Sequence, residues 1–361
     1  MISIAKPYVG EDEKRAVCEV IDSGMIACGA VVEKFENRFA GYIGAEYGIA
    51  TTSGTTALEV ALRSLGIGPG DKVLTTPFSF IASTNAIIYT GATPVFADIA
   101  PDTFNIAVAE IEKKLAEHPD VKALLLVHLF GQACDMDPIM ELVKKHRLLL
   151  IEDCAQAHGA QYKGRKVGTF GDAAAFSFYP TKNMTTGEGG IVLTSHKEVA
   201  DKARLLINHG MKVRYHHDIV GYNYRMTNMA AAIGLCQLDK LDDFNTLRNR
   251  NAAYYNARIH NKNIETPALA DERFHCYHQY TLLVKEGRRD AFTKYLGDNG
   301  IGFGIFYPLS IPEQACYADR DLEIRCPITD RIKNQVVSIP VHPQLTLEDL
   351  DTVVRVINAF D

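Results

Sequence analysis

Long apolar segments are missing from this sequence of 361 residues. No apolar run reaches the roughly 18 residues that a helix needs to cross a bilayer. Residues 1–7 contain no apolar core of the kind found in secretory signals. With 47% hydrophobic and 23% charged residues, the composition is typical of a soluble globular protein. We therefore expect a cytoplasmic protein with no membrane partner.

An excess of positive charge is also missing. The formal net charge is −6 at pH 7, and no block of like charges occurs along the chain. Because proteins bind nucleic acid largely through basic surfaces that neutralise phosphates, nucleic acid is a poor candidate partner.

Cysteine pairs with the spacing of a metal site are absent as well. The eight cysteines are scattered and none forms a CxxC pair, which argues against a zinc ribbon, and we predict no metal site. In a cytoplasmic protein we expect free thiols. Cys154 stands next to Asp153, where a packing role is a simpler interpretation than a nucleophile.

Neither common nucleotide-binding fingerprint occurs. No GxGxxG segment follows an early strand, and no GxxxxGK[ST] segment is present. The first absence disfavours a nicotinamide-dependent dehydrogenase on an α/β sheet.

Strands and helices are predicted to alternate through the first two thirds of the chain. Apolar spacing predicts helices at 33–42, 55–65, 82–89, 138–146 and 196–206, and strands at 48–52, 72–76, 94–97, 121–128 and 148–152. This alternation predicts a mostly parallel sheet covered by helices on both faces.

The last third of the chain has a different pattern. Residues 227–258 are predicted to form one or two long helices, followed by strands at 277–284 and 302–307 and a helix at 346–359. We predict a large α/β domain over residues 1–245 and a smaller α+β domain over residues 246–361.

One lysine and one acid carry the strongest chemical signal. Lys182 follows a run of small and aromatic residues, 173–178, so we expect it to be partly desolvated. Desolvation lowers the pKa of a lysine and makes it a nucleophile suited to Schiff-base chemistry. Asp153 ends the apolar run 148–151, at the strand end where α/β proteins bind ligands. Pyridoxal phosphate (PLP) needs both groups, a lysine for its aldehyde and an acid for its pyridine nitrogen.

Further segments fit the same ligand, although each has an ordinary explanation. The turn 52–58 opens a helix and favours a phosphate, but its serine and threonines are also common helix caps. Phe80 follows a strand and can stack on a flat ring or simply pack in the core. Gln156 can contact a ring substituent or the backbone, and the Ser177 hydroxyl can reach a phosphate.

The order of these segments resembles one family over essentially the whole chain. Residues 52–57, 76–80, 151–159, 177–190, 221–228 and 338–343 are similar, in order, to the DegT/DnrJ/EryC1/StrS sugar aminotransferases. The resemblance implies an α/β fold of the fold-type I PLP transferases. Such a fold has a large domain with a mostly parallel seven-stranded sheet flanked by helices, and a smaller C-terminal α+β domain.

The resemblance also implies a role for each matching residue. Lys182 is implied to carry the internal aldimine and Asp153 to pair with the pyridine nitrogen. Phe80 is implied to stack on the ring, and Gln156 to contact its 3′-oxygen. The phosphate is implied to bind Gly54, Thr55 and Ser177, together with Asn228 from the second subunit of a homodimer with composite active sites.

The implied reaction is a ping-pong transfer of an amino group from L-glutamate to a keto group of a nucleotide-linked deoxy sugar. Retention of Lys182 argues against the family's dehydratases, which have histidine there. Many relatives have histidine at the position of Tyr179, and the segment 306–312 lacks a histidine often found after the Tyr-Pro pair. The sugar end of the pocket is therefore expected to differ.

Basic and aromatic residues near the motif at 221–228 are candidates for binding the sugar nucleotide. They are Lys212, Arg214, Tyr215, His216, His217 and Arg225, with Tyr307 and His342 as weaker candidates. A solvated basic loop explains the first group equally well. Two other functions stay open: a PLP aminotransferase for a keto-inositol or a free keto-sugar, and a PLP-binding regulatory protein without turnover.

Overall fold

The computed structural model describes residues 1–285, 287–320, 322 and 325–361. The strands of this part of the chain are β1 (Tyr47–Thr51), β2 (Lys72–Thr75), β3 (Thr93–Phe96), β4 (Val121–Val127), β5 (Leu149–Asp153), β6 (Gln161–Tyr162), β7 (Arg165–Lys166), β8 (Ala173–Ser177), β9 (Gly190–Thr194), β10 (Met211–Val213), β11 (His216–His217), β12 (Ile264–Glu265), β13 (Arg273–Phe274), β14 (Tyr280–Val284) and β15 (Val336–Ile339). The α-helices are α1 (Glu11–Asp22), α2 (Ala30–Ile43), α3 (Gly54–Ser64), α4 (Ala82–Thr90), α5 (Val108–Glu117), α6 (Met136–His146), α7 (Lys197–Ile207), α8 (Asn228–Asn256), α9 (Arg289–Asp298), α10 (Pro327–Ile332) and α11 (Leu347–Asn358). Three short 3₁₀ helices lie at 129–131, 311–313 and 315–317.

The central sheet has seven strands in the order β1-β9-β8-β5-β4-β2-β3. The pairs from β8 through β5, β4 and β2 to β3 are parallel, whereas β9 is antiparallel to both of its neighbours. The predicted mostly parallel seven-stranded sheet is thus confirmed.

The sheet is covered on both faces because its central strands are apolar on both sides. In β4, Leu124 and Leu126 pack into one hydrophobic cluster, while Leu125 and Val127 pack into the other. Successive side chains of a strand point to opposite faces, so an almost continuous apolar run fits a strand buried on both sides. Because β2, β4, β5 and β8 are parallel, their carboxyl ends lie at the same edge of the sheet.

A third hydrophobic cluster belongs to the C-terminal part of the chain. It joins the antiparallel sheet β12-β14-β15 to α9 and α11. The long helix α8 contributes to two clusters. Leu238 and Leu241 belong to the cluster on one face of the central sheet, and Ala252 and Tyr255 belong to the third cluster. The predicted domain boundary at 245 falls inside α8, and this division stays a prediction.

One predicted strand, 302–307, is wrong. Only Gly304 of this segment pairs with β15, through a single bridge to Ser338. A Cβ atom on Gly302 would lie 2.9 Å from the backbone oxygen of Ile2, because the N-terminal segment passes this closely. The segment instead continues to Tyr307, which lines the cavity described below.

Candidate active site

A cavity of about 540 Å³ lies where the carboxyl ends of the parallel strands meet. This is the edge at which open α/β sheets bind ligands. Its lining includes eight residues of the predicted site: Gly54, Thr55, Phe80, Asp153, Gln156, Ser177, Lys182 and Tyr307. Residues far apart in sequence are thus brought together as the motif order predicted.

The start of α3 forms the predicted phosphate turn. Ser53 caps the helix, and its hydroxyl accepts a hydrogen bond from the backbone N–H of Thr56 at 3.2 Å. A Cβ atom on Gly54 would lie 2.6 Å from the Cβ atom of Ser177. Only glycine therefore lets the helix start approach the end of β8. First-turn N–H groups beside a serine hydroxyl suit a phosphate.

Asp153 is a buried carboxylate with two hydrogen bonds. Its Oδ2 accepts from the Ser83 hydroxyl at 2.7 Å, and its Oδ1 accepts from the backbone N–H of Ala155 at 3.0 Å. Burial raises the pKa of Asp153, against the effect of these two donors and of Lys182. A cation bound in the cavity next to this carboxylate would stabilise its ionised form.

The neighbouring Glu152 is also buried but has a full set of donors. It accepts hydrogen bonds from the backbone N–H groups of Gly168, Phe170 and Gly171. His128 Nε2 lies 3.0 Å from Glu152 Oε2. Although burial opposes ionisation, these donors together hold the pKa of Glu152 below its usual range.

His128, Glu152 and Cys154 lie close enough to suggest a metal cluster, but their atoms have other roles. His128 Nδ1 accepts a hydrogen bond from the Cys134 N–H at 3.0 Å. The ring proton is therefore on Nε2, which donates a hydrogen bond to Glu152. Burial raises the pKa of the Cys154 thiol well above its usual range, so it stays protonated. Cys154 is buried in a hydrophobic cluster, in agreement with its predicted packing role.

Lys182 lies in the turn that follows β8. Its backbone N–H donates to the Tyr179 carbonyl at 2.9 Å, and its side chain lines the cavity. Desolvation lowers the pKa of Lys182 from 10.5 to about 8, against the attraction of Asp153. Lys182 is thus desolvated, as expected, and roughly one tenth of its amine is neutral at pH 7.

Aromatic rings line another part of the cavity. Phe80 is 56% exposed, so the alternative that it packs in the core is wrong. Its ring centroid lies 6.3 Å from that of Tyr307. Gln156 Oε1 accepts from the Phe130 N–H at 2.8 Å, which orients Nε2 toward the Tyr307 oxygen at 3.0 Å. One N–H of the Gln156 amide remains to donate to a ligand.

Eight predicted site residues do not line this cavity: Asn228, Lys212, Arg214, Tyr215, His216, His217, Arg225 and His342. Asn228 is buried. Its side-chain oxygen accepts a hydrogen bond from the Val32 N–H, and its side-chain nitrogen donates one to the Met25 carbonyl. The exposed hairpin β10–β11 carries Lys212, Arg214, Tyr215, His216 and His217.

The other two residues, Arg225 and His342, lie outside the hairpin. Arg225 donates to the Asn208 side chain at 2.7 Å. His342 is buried, and desolvation lowers its pKa to about 4, so it is neutral near pH 7.

Sequence reasoning missed other lining residues, among them Ser83 and His278. Ser83 lies in the first turn of α4, where a serine is indistinguishable from an ordinary helix-start residue. His278 lies just before β14, and desolvation lowers its pKa well below the usual range. A single histidine inside the strand predicted at 277–284 gave no signal, because core histidines occur in strands as well.

These groups fit PLP. A phosphate turn, a half-exposed aromatic ring, a buried carboxylate and a lysine of lowered pKa match the needs of its phosphate, ring, pyridine nitrogen and aldehyde. Fold and site thus define a lysine-dependent α/β transferase.

Comparison with known proteins specifies the family. Residues 7–358 match the DegT/DnrJ/EryC1/StrS aminotransferase family, and the chain belongs to this family of PLP-dependent enzymes. GDP-perosamine synthase of Caulobacter vibrioides is 42% identical over 371 residues, which cover 100% of this chain and 97% of that protein. A pleiotropic regulatory protein of Geobacillus stearothermophilus is 38% identical over 367 residues, covering 100% and 98%. The crystal structure of S. venezuelae DesV in complex with a ketimine intermediate has a TM-score of 0.92 at 37% identity, covering 96% of this chain and 93% of that one.

Replacing Gly54 should damage the phosphate turn. We expect Gly54→Ala to weaken PLP binding by about tenfold or more, because the new methyl group must displace the end of β8. Equilibrium dialysis against PLP measures this. Gly41→Ala is the control, since a Cβ there meets no described atom within 4 Å and helical alanine is favoured over glycine. Equal affinity of both variants would contradict the assignment of the turn.

The lowered pKa of Lys182 predicts how PLP attachment depends on pH. The neutral amine is the nucleophile, so the rate of attachment to apoprotein should rise with pH through a midpoint of about 8. Borohydride trapping followed by peptide mapping measures attachment at Lys182, and Lys182→Ala provides the blank. A midpoint at the ordinary lysine value of 10.5 would contradict the desolvated environment.

Proposed function

We propose that this protein is a PLP-dependent aminotransferase that transfers an amino group from L-glutamate to a keto group of a nucleotide-linked deoxy sugar. The observation that carries the proposal is the convergence of Lys182, Asp153 and the Gly54 turn on one cavity. Membership of an aminotransferase family and the relative named GDP-perosamine synthase support the reaction and the kind of acceptor.

Six of the lining residues have a task in holding the cofactor. Gly54, Thr55 and Ser177 bind the phosphate, and Phe80 covers one face of the ring. Asp153 keeps the pyridine nitrogen protonated, and the free N–H of Gln156 donates to the 3′-oxygen. When bound, PLP supplies an electron sink for the charge that develops at the donor's α-carbon.

Lys182 moves the protons. Its neutral amine would hold the cofactor through the cofactor's aldehyde, and Lys182 must be released from it before it can move protons. Once released, Nζ accepts the proton from the glutamate α-carbon. The same group returns a proton at the former keto carbon in the second half-reaction, as ping-pong transfer requires. A pKa of about 8 suits a group that must both accept and donate a proton near neutrality.

The cavity of one chain is incomplete for anionic substrates. Among the described residues that line the cavity, Lys182 is the only lysine or arginine, and it is used for chemistry. Glutamate has two carboxylates, and a nucleotide sugar has a diphosphate, so further cations are needed. We assign these cations to a second subunit, whose exposed hairpin carries Arg214. Asn228 of that subunit also contributes, so that two subunits complete the site of a homodimer. Tyr307 serves the sugar from within the cavity.

A regulatory function is the second candidate, because one relative is named a pleiotropic regulatory protein. A regulator needs to bind PLP but has no need of a lysine tuned for proton transfer. The absorbance spectrum with glutamate separates the two candidates. Conversion of bound PLP to the pyridoxamine form supports the enzyme, and a chromophore that ignores every amino donor supports the regulator.

The acceptor is identified from the pyridoxamine form. Titration with GDP-, UDP- and dTDP-linked keto-sugars should return the PLP spectrum with one of them. Free keto-sugars and keto-inositols are the matched controls, and return of the spectrum with these alone would contradict a nucleotide-linked acceptor.

Two variants test the assigned roles. Lys182→Ala should abolish both covalent attachment of PLP and turnover. Asp153→Ala should lower kcat by a factor of about 100 or more while PLP still binds, because the ring nitrogen loses its counter-ion. Stopped-flow absorbance of the glutamate half-reaction measures both. Normal turnover in Lys182→Ala would contradict the mechanism.

Subunit mixing tests the composite site. Lys182→Ala and Asn228→Ala should each be inactive, yet a refolded equal mixture should recover about a quarter of the wild-type activity, because half of the dimers then contain one intact site. Circular dichroism of each variant checks that it folds. A mixture that stays inactive although mixed dimers form would contradict a site shared between subunits.

A further inference from the structure

We propose that Ser83 is a positioning residue for the cofactor's ring nitrogen: its hydroxyl, backed by Ser79, holds the Asp153 carboxylate in the orientation that faces that nitrogen. This inference rests on the proposed function. It assigns a task to a side chain that neither the motifs nor the family resemblance indicated.

The geometry fixes the carboxylate at both oxygens. Ser83 is 1% exposed and lies in the first turn of α4, with its Oγ 2.7 Å from Asp153 Oδ2. The backbone N–H of Ala155 holds Oδ1 at 3.0 Å. Two donors from different elements leave the carboxylate no freedom to rotate, while Asp153 still lines the cavity.

The direction of the hydrogen bonds follows from the donor inventory. An ionised carboxylate only accepts, so Ser83 must give its single proton to Asp153. The Ser79 and Ser83 hydroxyl oxygens are 3.0 Å apart, so Ser79 must donate to Ser83. The relay therefore runs one way, from Ser79 through Ser83 to Asp153, and both serines lie at the cavity wall.

The hydrogen bond from Ser83 matters because Asp153 accepts fewer hydrogen bonds than Glu152, the neighbouring buried acid. Glu152 receives three backbone N–H groups and His128, whereas Asp153 has one N–H and one hydroxyl. Without Ser83, burial would favour the neutral acid, which cannot stabilise a protonated ring nitrogen. Losing one donor of two should therefore cost more here than at Glu152.

Ser83→Ala should weaken PLP binding by about tenfold, the effect of losing one hydrogen bond to a charged group. Ser83→Thr, which keeps the hydroxyl, should restore the affinity. The measurement is the dissociation constant of PLP from the full-length protein by equilibrium dialysis, which needs no turnover. Thr84→Val is the matched control, because this neighbouring buried hydroxyl has no hydrogen-bond partner among the described residues.

A PLP analogue with carbon in place of the ring nitrogen isolates the proposed contact. Wild type and Ser83→Ala should bind this analogue equally, since nothing is left for Asp153 to hold. A tenfold difference that persists with the analogue would show a merely structural role and overturn the inference, as would unchanged PLP affinity in Ser83→Ala. Should Ser83→Ala not fold, Ser83→Cys fills the site with a slightly larger group that is a much weaker donor, and it is expected to show the same loss.

The outcomes separate this inference from the proposed function. Wild-type protein that binds no PLP would overturn both. Wild-type protein that binds PLP and transfers amino groups, with Ser83→Ala indistinguishable from it, would overturn the role of Ser83 alone.

Discussion

The candidate active site depends on two adjacent carboxylates that are buried at the end of one strand. Side chains alternate along β5, so Glu152 and Asp153 point to opposite faces of the sheet. Glu152 is saturated by backbone N–H groups and His128, and its pKa is lowered. Asp153 is only partly compensated, and its pKa is raised. The first acid therefore stabilises the strand end, and the second remains available to a cationic ligand.

The same desolvation that disfavours the charge of Asp153 makes Lys182 reactive. Both groups line a cavity at the carboxyl edge of the sheet, where burial desolvates them. A lysine and an acid so placed attract each other, yet burial dominates the pKa of each. A bound cofactor can satisfy both groups, with its aldehyde at the lysine and its ring nitrogen at the acid.

Much of the fold and of the site was predictable. Lys182, Asp153 and the Gly54 turn line one cavity, as the order of the motifs predicted. The strand predicted at 302–307 was wrong, because apolar alternation cannot show that the N-terminal segment passes beside Gly302. Ser83 was missed because a helix-start serine carries no signal until its distance to Asp153 is known. The roles of Asn228 and the hairpin residues stay predictions, since they depend on a second subunit.

The sequence by itself determined the local elements and the chemical repertoire. Apolar periodicity specifies strands and helices, and residue type specifies which side chain can be a nucleophile, an acid or a stacking ring. Only the tertiary structure decided which groups are solvated and which meet. The exposure of Phe80, the lowered pKa of Lys182 and the unequal compensation of Glu152 and Asp153 all depend on neighbours that are distant in the chain. Desolvation and hydrogen-bond distance are properties of packing in three dimensions, and no local pattern encodes them.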